Sequence, residues 1–496
     1  MDIKKNIIPI SDNIDKNLEI VKNILSNNQK IAFKKFESSA EDSVKFCSVF
    51  IKNLCDTDKV VDNIISPIML KDISCKIEGA KRVDFVLTKV VFTHDNSKIN
   101  SINQCIEKLT RGNTVLFIEG SREAVVADCA NRRERSITEP ESNKVSRGPK
   151  AGFTESIETN VTLIQQIIHS HNLKINYLTI GAQTKTKICV AYMENIASSS
   201  IIRELFERMK RIDIDGILDS HYIESFITDA PLSVFPTTGF ADRPDIACSK
   251  LLEGRIVIIC DGSPDVITVP YLFVENFQSN DDYYKNYAIA SFYRVLRYMS
   301  FVITCLAPSI YLSMVTYHQE LIPTNLLYSI MAARSSIPFP TIFELMLMLL
   351  VFETLIEASR RLPPNIGPTV SIVGGLILGQ AAVTARLVSA PIIIMTAVSG
   401  TTSFLIPFTA GPVIFIRLFC LAFSAVLGFY GLVFALMLLI VYMLSLRSFG
   451  VPYTLGVTTF KSYDIQDTML RLPWWYMKYR TRIVAARNLI RKSVKK

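Results

Sequence analysis

The spacing of apolar residues differs between the two halves of the chain. Up to about residue 290 the apolar runs are short. Residues 14–25 place an apolar side chain at every third or fourth position, which predicts a helix, whereas 83–92 is a β-branched run that predicts a strand. Short elements of this kind are typical of small α/β subdomains. The same criteria predict helices at 101–109, 153–168 and 199–212 and strands at 113–119, 187–193 and 255–260.

Beyond about residue 293 the apolar runs become long. Residues 362–446 contain only two charged side chains, Arg386 and Arg417. A helix that crosses a bilayer needs about 20 apolar residues, so this stretch predicts several membrane-spanning helices. The predicted apolar segments are 295–317, 341–358, 368–388, 390–407 with a break at 399–403, and 413–446, which is either one long tilted helix or two short helices that meet near Gly428 and Gly431.

These patterns predict the organisation of the whole chain. Residues 1–130 and 151–292 form two small cytoplasmic α/β subdomains, joined by a polar connector at 131–150. Residues 293–446 form an all-α, multi-pass membrane domain of four to six spanning or re-entrant helices, and 447–496 form a basic cytoplasmic tail. With both ends on one side the crossings are even in number, and we favour four with a re-entrant segment. We recognise no internal repeat, which argues against a secondary transporter.

Charge supports this topology. The tail holds eleven basic and two acidic side chains, a surplus equal to the formal net charge of +9. Basic residues after a membrane helix are typical of the cytoplasmic side and favour anionic lipid, so membrane lipid is the expected partner and nucleic acid is not. The first ten residues lack the apolar core of a signal peptide. The ten cysteines include no C-x-x-C pair, so we expect them to be buried and reduced.

Three acidic residues within the second apolar segment are candidates for chemistry. Glu353 and Glu357 are four residues apart and share a helical face, while Glu344 lies on the opposite side. Ionised groups within a bilayer mark either an ion path or a buried pair. In the second case Glu353 pairs with Arg386 or Arg417, and Glu344 and Glu357 lie at the membrane interface. Both interpretations stay open.

The third apolar segment is rich in small residues. Gly375 and Gly379 form a GxxxG pattern, which allows close helix packing in any multi-pass protein. The same composition suits a helix that lines a central pore in a symmetric oligomer, where side chains at helical spacing form rings. The candidate pore-lining residues are Val370, Val373, Gly374, Ile377 and Gln380.

Signatures of enzymes are missing from the sequence. The chain has no Walker-type phosphate loop, no dinucleotide fingerprint, no H-E-x-x-H zinc motif and no G-x-S-x-G nucleophile elbow. His169 and His171 are two residues apart, which puts them on different faces of a helix, so they predict no metal site. We therefore predict a protein that is not an enzyme and has no catalytic residue, metal or cofactor.

Several long blocks occur in one order along the chain. They include RSITEPESNKVSRGPKAGFTESIETNVTLI at 135–164, RPDIACSKLLEGRIVIICDGSPDVITVPYLF at 243–273, FQSNDDYY at 277–284 and RLPPNIGPTVSIVGGLILGQAAV at 361–383. Together these blocks resemble the A subunits of the spore germinant receptors (the GerA family) of endospore-forming bacteria. The likeness extends from about residue 15 to residue 455.

The resemblance implies a membrane subunit of a nutrient receptor in the inner membrane of the dormant spore. Family members work with a transporter-like B subunit, which binds the nutrient, and with a lipoprotein C subunit. The resemblance also implies a homo-oligomer around a ligand-gated, cation-conducting pore that triggers germination. Two alternatives stay open: a stage V sporulation-type paralogue that acts in dipicolinate and ion release, and a scaffold subunit that does not conduct.

Overall fold

The chain folds as two units. The computed structural model describes residues 8–25, 30–39, 43–71, 79–91, 93, 96–130, 148–362, 367–406, 409–458 and 467–491. The α/β unit comprises Met1–Asp229, Thr238–Pro270 and Tyr479–Lys492, and the helical unit comprises Ala230–Thr237, Tyr271–Lys478 and Ser493–Lys496. Residues 271–292, which we predicted to close the second subdomain, therefore make their contacts within the helical unit.

The first part of the α/β unit is a sheet covered by helices on both faces. Its strands are β1 (Ile31–Glu37), β2 (Lys45–Ile51), β3 (Asn96–Ile99), β4 (Thr114–Ile118) and β5 (Ala124–Ala127), and its helices are α1 (Ile14–Ile24), α2 (Thr57–Val60), α3 (Ser66–Leu70), α4 (Gly79–Lys89) and α5 (Ile102–Thr110). The sheet is antiparallel with the order β1-β2-β4-β5-β3. Successive residues of a strand point to opposite faces, so Phe46 packs with α2–α4 and Cys47 with α1 and α5.

The second part of the α/β unit is built in the same way. Its strands are β6 (Leu173–Ile180), β7 (Thr186–Met193), β8 (Gly239–Ala241), β9 (Ile256–Cys260) and β10 (Val266–Val269), and its helices are α6 (Ile157–Ile167), α7 (Ser199–Lys210), α8 (Ser220–Ile227) and α9 (Pro244–Leu252). The sheet is again antiparallel, with the order β6-β7-β9-β10-β8. Helices α6 and α9 share one hydrophobic core with the sheet.

The two sheets are copies of one topology. In each, a helix precedes a hairpin, an edge strand follows, and a second helix leads into a second hairpin. The sequence LTRGNTVLFIEGSREAVVA at 109–127 aligns without a gap with LLEGRIVIICDGSPDVITV at 251–269. The α/β unit therefore contains an internal repeat, and our expectation of none is wrong. We name residues 8–130 the first repeat and residues 148–229 with 238–270 the second repeat.

Most short elements predicted in this half are confirmed. They are the helices α1, α5 and α7 and the strands β4, β7 and β9. The predicted strand at 83–92 is wrong, because Gly79–Lys89 is a helix. Val83, Val86 and Val90 are buried at helical spacing, and this periodicity outweighs the preference of β-branched residues for strands. The predicted helix at 153–168 begins only at Ile157.

Two other predictions concern the cysteines and the connector. The nine cysteines that the structure describes are free and buried, as predicted. Of the connector at 131–150, residues 131–147 lie outside the described residues.

The helical unit contains the predicted membrane segments. Its helices are α10 (Asp281–Tyr284), α11 (Tyr287–Thr316), α12 (Thr324–Arg334), α13 (Thr341–Arg361), α14 (Gly367–Thr384), α15 (Ala390–Ser403) and α16 (Ala410–Ser445), with 3-10 turns at Phe273–Phe277 and Gln319–Leu321 and short strands β11 (Arg447–Ser448) and β12 (Val451–Pro452). Among the described residues, α11 and α16 are long and apolar enough to cross a membrane, and α15 is apolar but shorter. Four crossings remain a prediction.

A kink divides α16. Gly428 has φ +58° and ψ −136°, so two helical stretches meet there, which is one of the two predicted alternatives. The hydroxyl of Tyr317 donates to the carbonyl oxygens of Ala425 and Val426 at 2.5 and 3.2 Å. Carbonyls released by a break in an apolar helix need such a donor, because lipid offers none.

The predicted break at 399–403 is wrong, since α15 continues to Ser403. Gly400 lies directly under the ring of Phe352 from α13, and a Cβ at this position would collide with that ring. The small residues of this segment therefore serve close helix packing rather than a break in the helix.

The basic tail is not one solvated extension. Residues 479–491, which we name the return segment, pack on the second repeat. Arg480 Nε donates to the Leu252 carbonyl oxygen at 2.8 Å, and Arg487 Nη1 donates to the Glu194 carbonyl oxygen at 2.7 Å. Arg491 pairs with Glu253 at 2.7 Å. Part of the positive charge that we assigned to lipid thus binds protein.

Candidate functional site

An ion pair between a buried arginine and a half-buried glutamate lies within the helical unit. Arg417 on α16 is almost fully buried and donates from Nη2 to Oε1 of Glu353 on α13, at 2.5 Å. Its Nη1 donates to the Ser399 hydroxyl of α15 at 3.3 Å. Of the two partners that we considered for Glu353, the structure pairs it with Arg417. A buried charge such as that of Arg417 needs an opposite charge beside it, and this contact also joins α13 to α16.

Hydrogen bonds extend this pair to α11. The Ser399 hydroxyl donates to the Thr304 carbonyl oxygen at 3.0 Å, and the hydroxyls of Thr304 and Thr402 lie 2.7 Å apart. The resulting polar brace (Thr304, Glu353, Ser399, Thr402 and Arg417) connects four helices. Because unpaired polar groups are costly in apolar surroundings, the brace selects one relative register of these helices.

Glu344 makes a contact that neither interpretation had named. It lies in the first turn of α13, is fully buried, and its Oε2 accepts the backbone N–H of Ser389 at 2.8 Å. Ser389 is the N-cap residue of α15, so the carboxylate caps that helix from outside and complements its dipole. Its Oε1 lies 3.8 Å from Arg334 Nε, too far for a hydrogen bond.

The other two predicted charged residues are exposed. Glu357 accepts from Arg361 Nη2 at 2.9 Å within α13. Arg386 lies in the turn after α14 with a left-handed backbone, φ +55°. An exposed pair one turn apart, such as Glu357 with Arg361, contributes little to stability. Neither Glu357 nor Arg386 is among the five residues of the brace.

The predicted pore residues all lie on α14. Ile377 and Gln380 are exposed on the helical unit. Gly374 faces α13, since a Cβ there would lie 3.2 Å from Leu355 Cδ2. The side chains of Val370 and Val373 lie outside the described residues.

A second ionic network lies at the start of α11. Arg294 is fully buried and donates to Asp467 at 2.7 Å and to Asp282 at 3.3 Å. Arg297 pairs with Asp282 at 2.7 Å. From the sequence we assigned Arg294 and Arg297 only to the cytoplasmic side of the first span. Asp467, one of the two acids in the basic tail, is the residue whose charge could have indicated a specific partner for Arg294.

The family of the chain follows from its similarity to known proteins. The family model described as Bacillus/Clostridium GerA spore germination protein matches residues 19–483. The chain belongs to the GerA spore germination protein family. It is 36% identical to spore germination protein KA of Bacillus subtilis (strain 168) over 492 residues, covering 99% of this chain and 90% of the relative. It is also 36% identical to the uncharacterized membrane protein YfkQ of the same strain, covering 95% of this chain and 91% of the relative.

A solved structure is also similar to part of this GerA-family chain. It is the crystal structure of the N-terminal domain of the A subunit of the Bacillus megaterium spore germinant receptor GerK3. The two are 27% identical, with a TM-score of 0.42, over 54% of this chain and 99% of that chain. Membership of the family thus connects the chain to spore germination, and the residues of the helical unit are where a membrane function has to be sought.

Proposed function

We propose that this chain is the membrane subunit of a nutrient (germinant) receptor that triggers spore germination, and that copies of it oligomerise into a ligand-gated cation channel. The family match over residues 19–483 carries the first part of the proposal. The receptor would lie in the inner membrane of the spore with both termini cytoplasmic, and its partners would be a transporter-like B subunit and a lipoprotein C subunit.

The surface of α14 supports the channel. Gln380 is a polar side chain that is exposed on a helix without charged residues, and Ile377 is exposed one turn earlier. A Cβ at Gly375 would have no neighbour within 4 Å, so the helix leaves room there for another copy. An axis shared by several copies would give Gln380 a wet environment that lipid does not offer.

The polar brace supplies a second element of the mechanism. It joins α13 and α15, which flank the start and end of α14 in the chain, to α11 and α16. A pore helix held between braced neighbours has a defined closed position. The two cytoplasmic α/β subdomains would transmit the signal of the nutrient-binding subunit to these helices.

Cation flux through purified protein tests the proposal. The full chain is reconstituted in vesicles alone and with its B and C subunits, and K⁺ release is followed with and without nutrient. We expect Gln380→Leu and Ile377→Ala to change the flux at equal protein levels. Val441→Ala is the matched control, because Val441 on α16 is 65% exposed and Ile377 is 59% exposed.

The outcomes separate the candidate roles. Flux that responds to nutrient and to the α14 variants supports the channel. A complex that assembles and still conducts nothing would make the chain a scaffold subunit. Flux that is equally altered by Val441→Ala would contradict the assignment of α14 to the pore.

A further inference from the structure

The two tryptophans of the chain are adjacent and exposed. They are Trp474 and Trp475, with Tyr476 beside them, and all three side chains are exposed on the helical unit. An exposed aromatic residue, Tyr287, also begins α11. Monomeric soluble proteins rarely expose a group of large aromatic side chains of this kind. We name these four residues the aromatic patch.

The parts of the aromatic patch are held together by specific contacts. The ring of Trp475 packs edge-on against Tyr287, with centroids 6.3 Å apart. The guanidinium of Arg471 lies 5.5 Å from the Trp474 ring centroid. The backbone N–H of Arg471 donates to the Ser291 hydroxyl of α11 at 3.1 Å, and the Arg294–Asp467 pair fixes the chain just upstream. The patch is therefore a built surface and not a loose chain end.

The length of α11 places this surface relative to a bilayer. The helix has 30 residues, which at 1.5 Å per residue span about 45 Å. The hydrocarbon of a bilayer is about 30 Å thick and the bilayer with its headgroup regions is about 40–45 Å thick, so α11 is long enough to reach both headgroup regions. The aromatic patch and the buried charge of Arg294 lie towards the start of the helix, and a charged residue favours the headgroup region over the hydrocarbon.

The side chains of the aromatic patch indicate which surroundings they contact. Tryptophan and tyrosine are enriched at the depth of lipid headgroups, where their rings are apolar and their N–H and O–H groups reach water. Lys478 follows the patch and is exposed, which suits an anionic lipid surface. We propose that the aromatic patch anchors this chain in the headgroup region of the membrane, at the start of α11. This inference rests on the membrane location in the proposed function.

Tryptophan fluorescence tests the anchor directly, because the chain has only two tryptophans. The full chain is reconstituted in vesicles of phosphatidylcholine and phosphatidylglycerol. Brominated lipids carry the quencher either near the headgroup or near the end of the acyl chain, and iodide quenches from the water. We expect blue-shifted emission that the shallow bromolipid quenches more strongly than the deep bromolipid or iodide. Trp474→Phe and Trp475→Phe then report each position while the aromatic ring is kept.

Other occupants give other results. Quenching by iodide without quenching by bromolipid would show that the patch faces water and would overturn the anchor. Emission that neither quencher reaches would show a protein partner or second copy on the patch, which also overturns it. Extraction of the vesicles with alkaline carbonate separates this inference from the proposed function. If the protein stays in the vesicles and bromolipid does not quench its tryptophans, only the proposed anchor is contradicted. If the protein is extracted, the proposed membrane location is contradicted as well.

Discussion

The two α/β repeats begin in the same way, but different parts of the chain complete them. In the first repeat, the Asn17 side chain accepts from the Ser11 N–H at 2.8 Å and donates to the Ser11 carbonyl oxygen at 2.6 Å. In the second repeat, Asn160 makes the same two bonds with Thr154, at 2.8 and 2.5 Å. Both asparagines are buried in the first turn of the equivalent helix, Asn17 in α1 and Asn160 in α6. The start of each repeat is therefore locked in the same way.

The repeats differ at an equivalent glycine. Gly112 and Gly254 have φ values of +89° and +90°. A Cβ on Gly112 would lie 3.0 Å from the Leu54 carbonyl oxygen, within the first repeat itself. A Cβ on Gly254 would lie 3.1 Å from Cα of Ala485, in the return segment. The first repeat is thus closed by its own chain, while the second needs residues from far downstream.

Substitution of these glycines gives the largest expected effect. Gly112→Ala and Gly254→Ala combine a strained backbone with a close contact, so we expect each to lower the free energy of unfolding of its repeat by about 4 kcal/mol. Gly254→Ala should also release the return segment. Amide hydrogen exchange on the full chain in detergent, followed by mass spectrometry, resolves the two repeats.

Gly262→Ala is the matched control for strain alone, because Gly262 has φ +88° and its Cβ would meet nothing within 4 Å. We expect about 2 kcal/mol there. A Gly254→Ala effect no larger than that of Gly262→Ala would contradict the role of the return segment as the cover of this site.

Substitution of Asn17 or Asn160 should have the next largest effect on stability. Asn17→Ala and Asn160→Ala each leave a backbone N–H and a carbonyl without their buried partner, so we expect a loss of about 3 kcal/mol in each repeat. The same exchange experiment measures both, with the half-buried Asn176→Ala as a control. Effects that differ strongly between Asn17 and Asn160 would show that the two helix starts are not equivalent.

Substitution of one arginine of the return segment should have a smaller effect on stability, and the effect should be confined to the second repeat. Arg487 donates to the Glu194 carbonyl oxygen at 2.7 Å and to the Ser199 hydroxyl at 3.1 Å, and it is exposed. We expect Arg487→Ala to destabilise the second repeat by about 1 kcal/mol and to leave the first unchanged. Arg482→Ala, an exposed residue of the same segment, is the control. Equal exchange in both variants would remove the anchoring role of Arg487.

The smallest effect depends on pH. Burial raises the pKa of Asp219, and hydrogen bonds from the Ser263 hydroxyl and from the backbone N–H groups of His221 and Ser220 lower it by more, so the pKa lies below its ordinary value of 3.8. A lowered pKa stabilises the folded state above pH 3.8 and this contribution is lost as Asp219 becomes protonated in acid. The stability difference between the native chain and Ser263→Ala should therefore shrink as the pH falls from about 5 to about 3.

The equivalent serine provides the control. The Ser121 hydroxyl of the first repeat donates to the Glu123 carbonyl oxygen at 3.2 Å, a group that does not titrate. The effect of Ser121→Ala should be the same at every pH in this range. A parallel pH dependence of both variants would assign the effect to general acid destabilisation instead of Asp219.

The sequence predicted elements wherever one local pattern decided them. The strands around Val115 and Val257 are short apolar runs and form as expected. The run containing Val83 carries both a β-branched composition and a helical spacing, and only the core shows which of them wins. The repeat escaped notice because 109–127 and 251–269 keep few identical residues, chiefly the leucine, the two glycines and the serine of the turn.

The site was predictable only in part for a similar reason. Composition limits the partners of Glu353 to Arg386 and Arg417, because the apolar region has no other basic residue. The choice between them depends on backbone turns that are not local to Glu353, such as the left-handed residue at Arg386. The external cap that Glu344 provides to α15 likewise joins residues 45 positions apart, which no periodicity reveals.

The return segment also sets an order of events during synthesis. The ribosome makes Gly254 about 240 residues before it makes Arg491, and all the apolar helices lie between them. At 5–20 residues per second, the second repeat waits roughly 10–50 seconds for its final piece while the apolar helices are translated. A chain that stalls during this interval would keep this surface open to proteases, so completion of the fold reports that the apolar helices have all been translated.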